Sequence, residues 1–408
     1  MKPELQVGAR PAPAGRRLRI LHVVPAYYPA VRYGGPIRSV HGLSVALTAR
    51  GHDVHVYTTN IDGPNNLDVP LDSSVDLDGV TVRYFAVTAR RLCWAPTLRE
   101  QLRRTVREFD VVHLHSVFLW PTWAAAREAY RAGVPYVIAP RGMLVRDIIN
   151  QKSRLAKTLW INLIERVTFA RAAGVHVTAD IEAEELRALG LRLPEINFMP
   201  NGVEIPARHS PLSAGPFAGL PPRYVLFLSR ISWKKGLDRL VKALQLVPEI
   251  PLVIAGHDDE GYRAVVEELA ASLGVAQRLI FVGPVADDLK WALYEQAQLF
   301  VLPSYSENFG NVVAEAMAMG CPVVVTPEVG IAPLVTASGA GIVSDGNPEV
   351  FGPALRELLA NESARSAMGE RGRETARTRL SWGGVAAQAE SLYTRISNRP
   401  SQGAPVAA

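Results

Sequence analysis

Cysteine is scarce: the 408-residue chain holds two, Cys93 and Cys321, and residues 1–17 contain no apolar stretch that would serve as a secretory leader. Together these point to a cytoplasmic protein. No run of about eighteen apolar residues occurs, so no segment is a candidate for spanning a membrane. A Gly-x-Gly-x-x-Gly pattern is also missing, which argues against a dinucleotide-dependent oxidoreductase. Arginine is plentiful, but no recognised nucleic-acid-binding motif accompanies it, and nucleic acid is not an expected partner. What is present is 48% hydrophobic and 20% charged residues. That suffices for two domains with full cores and excludes disorder for most of the chain. The net charge of +5 is uneven: residues 1–200 carry 26 Lys and Arg against 18 Asp and Glu, a balance of +8, and the remainder carries 18 against 21, a balance of −3. The basic half suits an acidic partner, either an anionic membrane surface or a pyrophosphate-bearing acceptor; a solvated basic surface is the plainer reading.

Apolar, β-branched runs alternate with helical patterns at residues 19–24, 54–58, 111–114, 136–138, 175–177 and 196–199, which predicts one parallel sheet. A stretch rich in Pro, Gly and Ser, residues 204–222, reads as a linker, and a second series of strands follows at 224–228, 252–254, 279–282, 300–302 and 323–325. The predicted class is α/β, with Rossmann-like domains over residues 18–203 and 223–380 and disordered tails at 1–17 and 398–408. Parallel sheets carry ligand loops at the carboxyl ends of their strands, so a cleft between the domains is the expected site.

Residues 304–325 read Ser-Tyr-Ser-Glu-Asn-Phe-Gly-Asn-Val-Val-Ala-Glu-Ala-Met-Ala-Met-Gly-Cys-Pro-Val-Val-Val. From 311 to 319 they are small, apolar and helix-forming, with Asn311 as the expected cap and Gly320 as the stop. Glu315 is the one charge on that helix. Burying an unpaired carboxylate costs several kcal/mol in order of magnitude, and no sequence neighbour offers a donor, so a polar ligand is expected to supply one. Upstream, a loop leads from an apolar strand into the helix N-terminus, whose amides and positive dipole end favour an anion such as a phosphate.

This stretch resembles the donor-site signature of the retaining family 4 glycosyltransferases: two glutamates, Glu307 and Glu315, enclose Phe309-Gly310-Asn311 and are followed by Gly320-Cys-Pro-Val-Val. The resemblance covers residues 18–396. It implies the GT-B fold, two Rossmann-like domains facing a central cleft, with a helix over 381–397 returning to the first. It implies that Glu307 meets hydroxyls of the donor sugar, that the amides around Phe309, Gly310 and Asn311 meet the diphosphate, and that Glu315 meets the ribose. Ser229-Arg230-Ile-Ser-Trp-Lys234-Lys235-Gly236 matches as well. Arg230 ends the first strand of the second domain and Lys235 precedes a helix, so both cations can reach one anion. In the family this pair stabilises the leaving nucleoside diphosphate as its charge grows.

Gly34 and Gly35 precede Pro36 at a predicted helix start, where bare amides let the backbone approach a phosphate. The resemblance assigns Gly35 to the donor and Gly34 to the acceptor. His113 and His115 share one face of the strand over 111–115. Without a third ligand at useful spacing a metal site is not expected, and His113 reads as a packed structural histidine. The family counterpart of His115 commonly contacts the donor sugar. Arg141, in Pro140-Arg141-Gly142, stands where the family often has a different loop. It is a candidate for an acceptor phosphate or donor sugar and suggests a subgroup that builds surface polysaccharides.

Asp76-Leu77-Asp78 has an Asp-x-Asp form but is followed by Gly79 and a strand, and is read as a turn. Residues 152–171 mix aliphatic and aromatic side chains with Lys and Arg, and are read as core packing with cationic edges, a membrane-surface helix being the other reading. The helix over 97–109 has an arginine-rich face that is a second membrane-contact candidate. The expected activity is transfer of a sugar from a nucleoside diphosphate sugar to a hydroxyl of a glycan or polyprenyl-pyrophosphate-linked acceptor, without metal or cofactor, at the cytoplasmic face of a membrane. A nucleotide-sugar epimerase and a two-lobed solute-binding protein are the competing readings.

Overall fold

The computed structural model describes residues 16–30, 34–145, 154–204, 217, 219–247, 249–258, 261–285 and 287–398. Most of the expected linker and tails lies outside the described residues. The chain divides into two units: the residues up to Gly202 joined by those from Trp382 onward, and Val203–Ser381.

The first unit is built on an eight-stranded sheet of order β10-β9-β8-β7-β1-β2-β6-β5. Its strands are β1 (Arg19–Ala26), β2 (Asp53–Thr59), β5 (Ser74–Leu77), β6 (Val80–Phe85), β7 (Val111–His115), β8 (Tyr136–Ala139), β9 (Gly174–Val177) and β10 (Ile196–Phe198), with a separate short pair, β3 (Ile61–Asp62) and β4 (Asn65–Asn66). Central strands such as β7 and β8 are buried along their whole length, as their continuous apolar runs require. The expectation of a wholly parallel sheet is corrected at the edge: β5 runs antiparallel to β6. Asp78 and Gly79, at φ 54° and 82°, make the two-residue turn between them, and Asp76 accepts the Gly79 N–H at 3.1 Å. The Asp-x-Asp stretch is thus a hairpin end.

Helices α1 (Gly35–Ala49), α2 (Pro96–Thr105), α3 (Trp120–Ala132), α4 (Arg154–Trp160), α5 (Arg166–Arg171) and α6 (Asp180–Ala188) belong to this unit. The C-terminal helix, Trp382–Ser397, returns to it and buries Val385, Ala389, Leu392, Tyr393 and Ile396 in the core shared with β1 and α1. Trp382 anchors its start: a Cβ on Gly42 or Gly202 would come within 2.3 Å of the indole, so both positions need glycine. Of the arginines on the helix expected over 97–109, Arg99 is half-buried, whereas Arg103, Arg104 and Arg107 are exposed. Arg99 reaches the buried carboxylate of Glu128 on α3 at 2.8 Å, and Arg103 and Arg131 lie within 3.7 Å of the same oxygen.

The second unit carries a six-stranded, wholly parallel sheet of order β13-β12-β11-β14-β15-β16. Its strands are β11 (Val225–Leu228), β12 (Leu252–Ala255), β13 (Leu279–Gly283), β14 (Leu299–Leu302), β15 (Val323–Val325) and β16 (Gly341–Val343). The relevant helices are α7 (Leu237–Ala243), α8 (Tyr262–Ser272), α9 (Asp287–Gln296) and α10 (Asn311–Ala318). Phe227, Phe300, Leu302, Val324 and Met317 are fully buried between sheet and helices, each side chain contributing roughly 1.5–3 kcal/mol of transfer free energy. β16 was not expected, because Gly-Ile-Val is too short a run to separate from a buried turn.

Candidate active site

In the second unit the strand order reverses between β11 and β14: β12 and β13 lie to one side, β15 and β16 to the other. Loops leaving two such strands diverge, and the crevice they open is where α/β sheets take ligands. Lys235 follows β11 in a single 3-10 turn, Trp233–Lys235, and Glu307 lies in the loop that leaves β14. Their side chains form a mostly buried ion pair. Gly236 permits the approach: it sits at φ 69°, and a Cβ there would lie 1.9 Å from the Pro303 carbonyl oxygen. The amide of Tyr305 donates to the Lys234 carbonyl at 2.8 Å and ties the two loops. From the other side, Glu307 donates its N–H to the Glu328 carbonyl at 3.1 Å and accepts from the Gly330 N–H at 2.9 Å. Arg230 sits exposed two residues after β11.

Gly310, at φ 96°, turns the loop into α10. It is the cap, which corrects the expectation for Asn311: Asn311 is the first helical residue, and no side chain caps this end. The Phe309 ring is buried in the core, so Phe309 has only its main chain to offer a ligand. Glu315 brings the main correction. Its carboxylate already has protein donors, Lys290 Nζ at 2.8 Å and Tyr294 Oη at 3.1 Å, both from α9. Sequence neighbours of Glu315 offered nothing, but α9 packs on α10 and supplies a lysine and a tyrosine four residues apart on one face. That spacing was the signal available in the sequence.

The first unit has its own reversal, between β1 and β7. After β1, Gly34 at φ 71° caps α1 without a side-chain bond, and Pro36 occupies the first turn. After β7 and β8, three non-glycine residues hold positive φ: Ser116 at 82°, Phe118 at 62° and Arg141 at 57°. Such strain persists only where the surroundings impose it, and it clusters at functional loops. Gly142 N–H donates to Glu182 Oε1 at 2.7 Å, while Oε2 of the same buried carboxylate accepts from Thr178 N–H at 2.9 Å, which bolts the β8 and β9 loops together.

His22, at the centre of β1, pairs in register with His113 on β7, and His176 follows on β9. With His115 these form a buried row joined by two chains of hydrogen bonds. In the first, Arg141 Nη2 donates to His115 Nδ1 at 3.1 Å, and His115 Nε2 meets His22 Nδ1 at 2.8 Å. A guanidinium can only donate, so His115 carries its proton on Nε2 and donates it to His22 Nδ1, which leaves the proton of His22 on Nε2, a buried atom without a partner among the described residues. In the second, His176 Nε2 donates to the Met199 carbonyl at 2.9 Å, His113 Nε2 donates to His176 Nδ1 at 3.2 Å, and the Tyr393 hydroxyl donates to His113 Nδ1 at 2.6 Å.

Burial, with the nearby charge of Arg141, lowers the pKa of His22 and of His176 to about 3 and holds His113 and His115 well below the ordinary imidazole range. All four are neutral near pH 7. Burial likewise lowers the Arg141 pKa, to about 10; Arg141 also reaches Asn201 Oδ1 at 3.0 Å.

Two expectations change here. A third histidine does stand beside His113 and His115, and ligand nitrogens of His22, His113 and His115 lie within 4.8 Å of one another. Apart from His22 Nε2, the ring nitrogens of these three are engaged with neighbouring side chains and flanked by a fixed cation, so a dication held by all three would displace hydrogen bonds next to Arg141. His115, expected at the donor sugar, is fully buried with both ring nitrogens engaged. It orients Arg141. His22 and Tyr393 escaped the sequence reading because only strand register and the returning helix bring them to β7.

The description "Glycosyl transferases group 1" matches residues 217–375, and "Glycosyl transferase 4-like domain" matches residues 34–202. The first span contains Arg230, Lys235, Glu307 and Glu315, and the second contains Gly34, Gly35, His115 and Arg141. The chain belongs to the family 4 glycosyltransferases. The enzyme is 29% identical to a D-inositol 3-phosphate glycosyltransferase of Xylanimonas cellulosilytica across 95% of its own length and 99% of that protein. It is 25% identical to an uncharacterized glycosyltransferase of Methanocaldococcus jannaschii across 90% and 95%. Among solved structures it resembles sucrose-phosphate synthase from Thermosynechococcus elongatus, with a TM-score of 0.72 at 22% identity over 93% of this chain and 99% of that one. It also resembles HepE of Anabaena, solved with UDP and glucose, with a TM-score of 0.71 at 20% identity over 93% and 100%. These likenesses establish the GT-B fold, and family membership sets aside the epimerase and the solute-binding protein.

Proposed function

We propose that the enzyme transfers a hexosyl group from a nucleoside diphosphate sugar to a hydroxyl acceptor with retention of anomeric configuration. The observation that carries this reading is the Lys235–Glu307 pair at the strand reversal of the second sheet, beside the glycine-capped start of α10. An anionic diphosphate suits that helix end, where main-chain amides of Gly310 and Asn311 and the dipole favour negative charge. Lys235 and Arg230 stabilise the charge that grows on the departing diphosphate, and Glu307, released from part of its contact with Lys235, orients the sugar hydroxyls. Glu315, held by Lys290 and Tyr294, presents its carboxylate to the ribose. In the first domain Gly34 and Gly35 approach phosphate or acceptor through their backbone, and Arg141 serves as the cation for an acceptor phosphate, with His115 behind it as a positioning residue.

During transfer the bond from the anomeric carbon to the diphosphate oxygen breaks with its electron pair on the phosphate. The acceptor oxygen bonds the same carbon on the same face, and its proton passes to the leaving phosphate. No carboxylate is assigned as a separate nucleophile, and none of these steps uses a metal. HepE, with UDP and glucose bound, supports a nucleotide-sugar donor. For the acceptor, a lipid-linked glycan at the cytoplasmic face of a membrane suits the basic first half of the chain. A second reading, a small phosphorylated polyol, is favoured by the relatives named as D-inositol 3-phosphate glycosyltransferases.

A thermal-shift panel with UDP, GDP, ADP and their sugar conjugates tests the donor, since a ligand at a hundred times its Kd stabilises by about 2.7 kcal/mol. One responding nucleotide is expected. No response to any of them refutes the donor site. Product analysis with a polyprenyl-pyrophosphate glycan and an inositol phosphate then separates the two acceptors.

A further inference from the structure

Residues 154–171 form one helical stretch: α4, a wider π turn over Ile161–Glu165, and α5. Core packing was the sequence expectation, and Ile161 and Phe169 meet it. Four other aliphatics do not. Leu155 is 87% exposed, Leu159 60%, Leu163 65% and Val167 42%. They recur every fourth residue. In a regular α-helix four residues turn the face by roughly 40°, so three such steps would wrap the row well around the helix. The wider turn over Ile161–Glu165 winds back part of that drift and keeps the row on one side. No other helix among the described residues exposes more than one large apolar side chain.

The charge around this row has one sign. Among the described side chains of this stretch, Lys157, Arg166 and Arg171 stand against a single acid, Glu165. Glu165 is buried and accepts from Trp160 Nε1 at 2.8 Å and Phe118 N–H at 3.0 Å, so it does not offset the cations at the surface. Arg166 lies on the exposed side beside Leu163 and Val167. A second copy of this helix would bring like charges together. An anionic lipid surface meets both the apolar row and the cations around it.

We propose that residues 154–171 dock the first domain on an anionic lipid bilayer, with Leu155, Leu159, Leu163 and Val167 entering the headgroup boundary and the flanking cations meeting lipid phosphates. The purpose of this contact rests on the reading of a membrane-borne acceptor, but its test does not. Vesicle flotation of the full chain, in phosphatidylcholine with about 30% phosphatidylglycerol at low salt, should recover the protein, and pure phosphatidylcholine should bind about tenfold more weakly. Leu159→Glu with Leu163→Glu should weaken binding to the anionic vesicles at least about tenfold, whereas Leu159→Met with Leu163→Met should retain it. Both pairs should keep the thermal response to the donor nucleotide, which shows that the fold and donor site survive. Failure of the wild-type chain to float, or equal flotation of the glutamate pair, overturns the proposal. So does a wild-type dimer that the glutamate pair splits without any vesicle binding, which would assign the row to a second copy. A chain that floats as expected but answers to no nucleotide would instead overturn the donor reading and leave the docking surface standing.

Discussion

The buried histidine row makes the first domain sensitive to acid in a way that can be calculated. His22, His113, His115 and His176 are almost wholly inaccessible and held neutral in the folded protein, with His22 and His176 titrating at about 3 against an ordinary value of 6.5. As pH falls below 6.5 the unfolded chain takes up protons first, so stability declines, and the decline continues until the folded values are reached. At pH 5.5 each histidine that is neutral when folded and free when unfolded costs about 1.4 kcal/mol relative to pH 7.5. Two such residues give about 3 kcal/mol, and all four give about 5–6 kcal/mol. That is a large part of the roughly 5–15 kcal/mol that holds a domain folded. Thermal unfolding between pH 7.5 and 5.5, above the range where most carboxylates titrate, should show the midpoint of the first domain falling by about 10–20 °C. His176→Gln should reduce the proton uptake on unfolding by about one. A midpoint that moves by less than about 3 °C, or imidazole resonances of these residues that titrate near 6.5, would refute the assignment of buried neutral rings.

The remaining expectations concern the second domain. Lys235→Ala should lower kcat by roughly 10²–10³ through loss of charge stabilisation on the leaving group, and Glu307→Gln should lower turnover with little change in the unfolding midpoint; near-normal steady-state rates in both would remove the pair from the reaction. Lys290→Met leaves Glu315 with Tyr294 as its remaining protein donor, and should cost about 1–3 kcal/mol in denaturant unfolding while weakening nucleotide binding by calorimetry; unchanged nucleotide affinity would separate Glu315 from the donor site. Gly236→Ala must place a Cβ against the Pro303 carbonyl at positive φ, so a loss of at least about 1–3 kcal/mol and a strong fall in activity are expected; an unaltered melting curve would show that the two loops are not locked as described.

Much of the architecture was legible in the chain. Continuous Val- and Ile-rich runs alternating with helical periodicity read as buried parallel strands, because a strand covered on both faces needs apolar residues throughout. The edge strand β5 was not legible: Ser-Val-Asp-Leu carries no such run, and only its pairing with β6 defines it. The same division runs through the candidate site. Glu307, Lys235 and the glycines at 236 and 310 stand in local patterns whose turn chemistry is readable. Lys290, Tyr294, His22 and Tyr393 do not, because each contributes through an element distant in sequence.

Residue order alone therefore determined the α/β class, the two sheets, the loops after β11 and β14, and the family resemblance that the matched spans support. Local sequence specifies those features through periodicity, β-branching and the steric freedom of glycine. Packing decided the rest: that Glu315 has a lysine and a tyrosine for partners, that His115 lies behind Arg141, and that four aliphatics of residues 154–171 face outward. Each depends on which surfaces meet once strands align and helices pack, and for a buried charge or an exposed leucine that neighbourhood, more than its place in the chain, sets its energy.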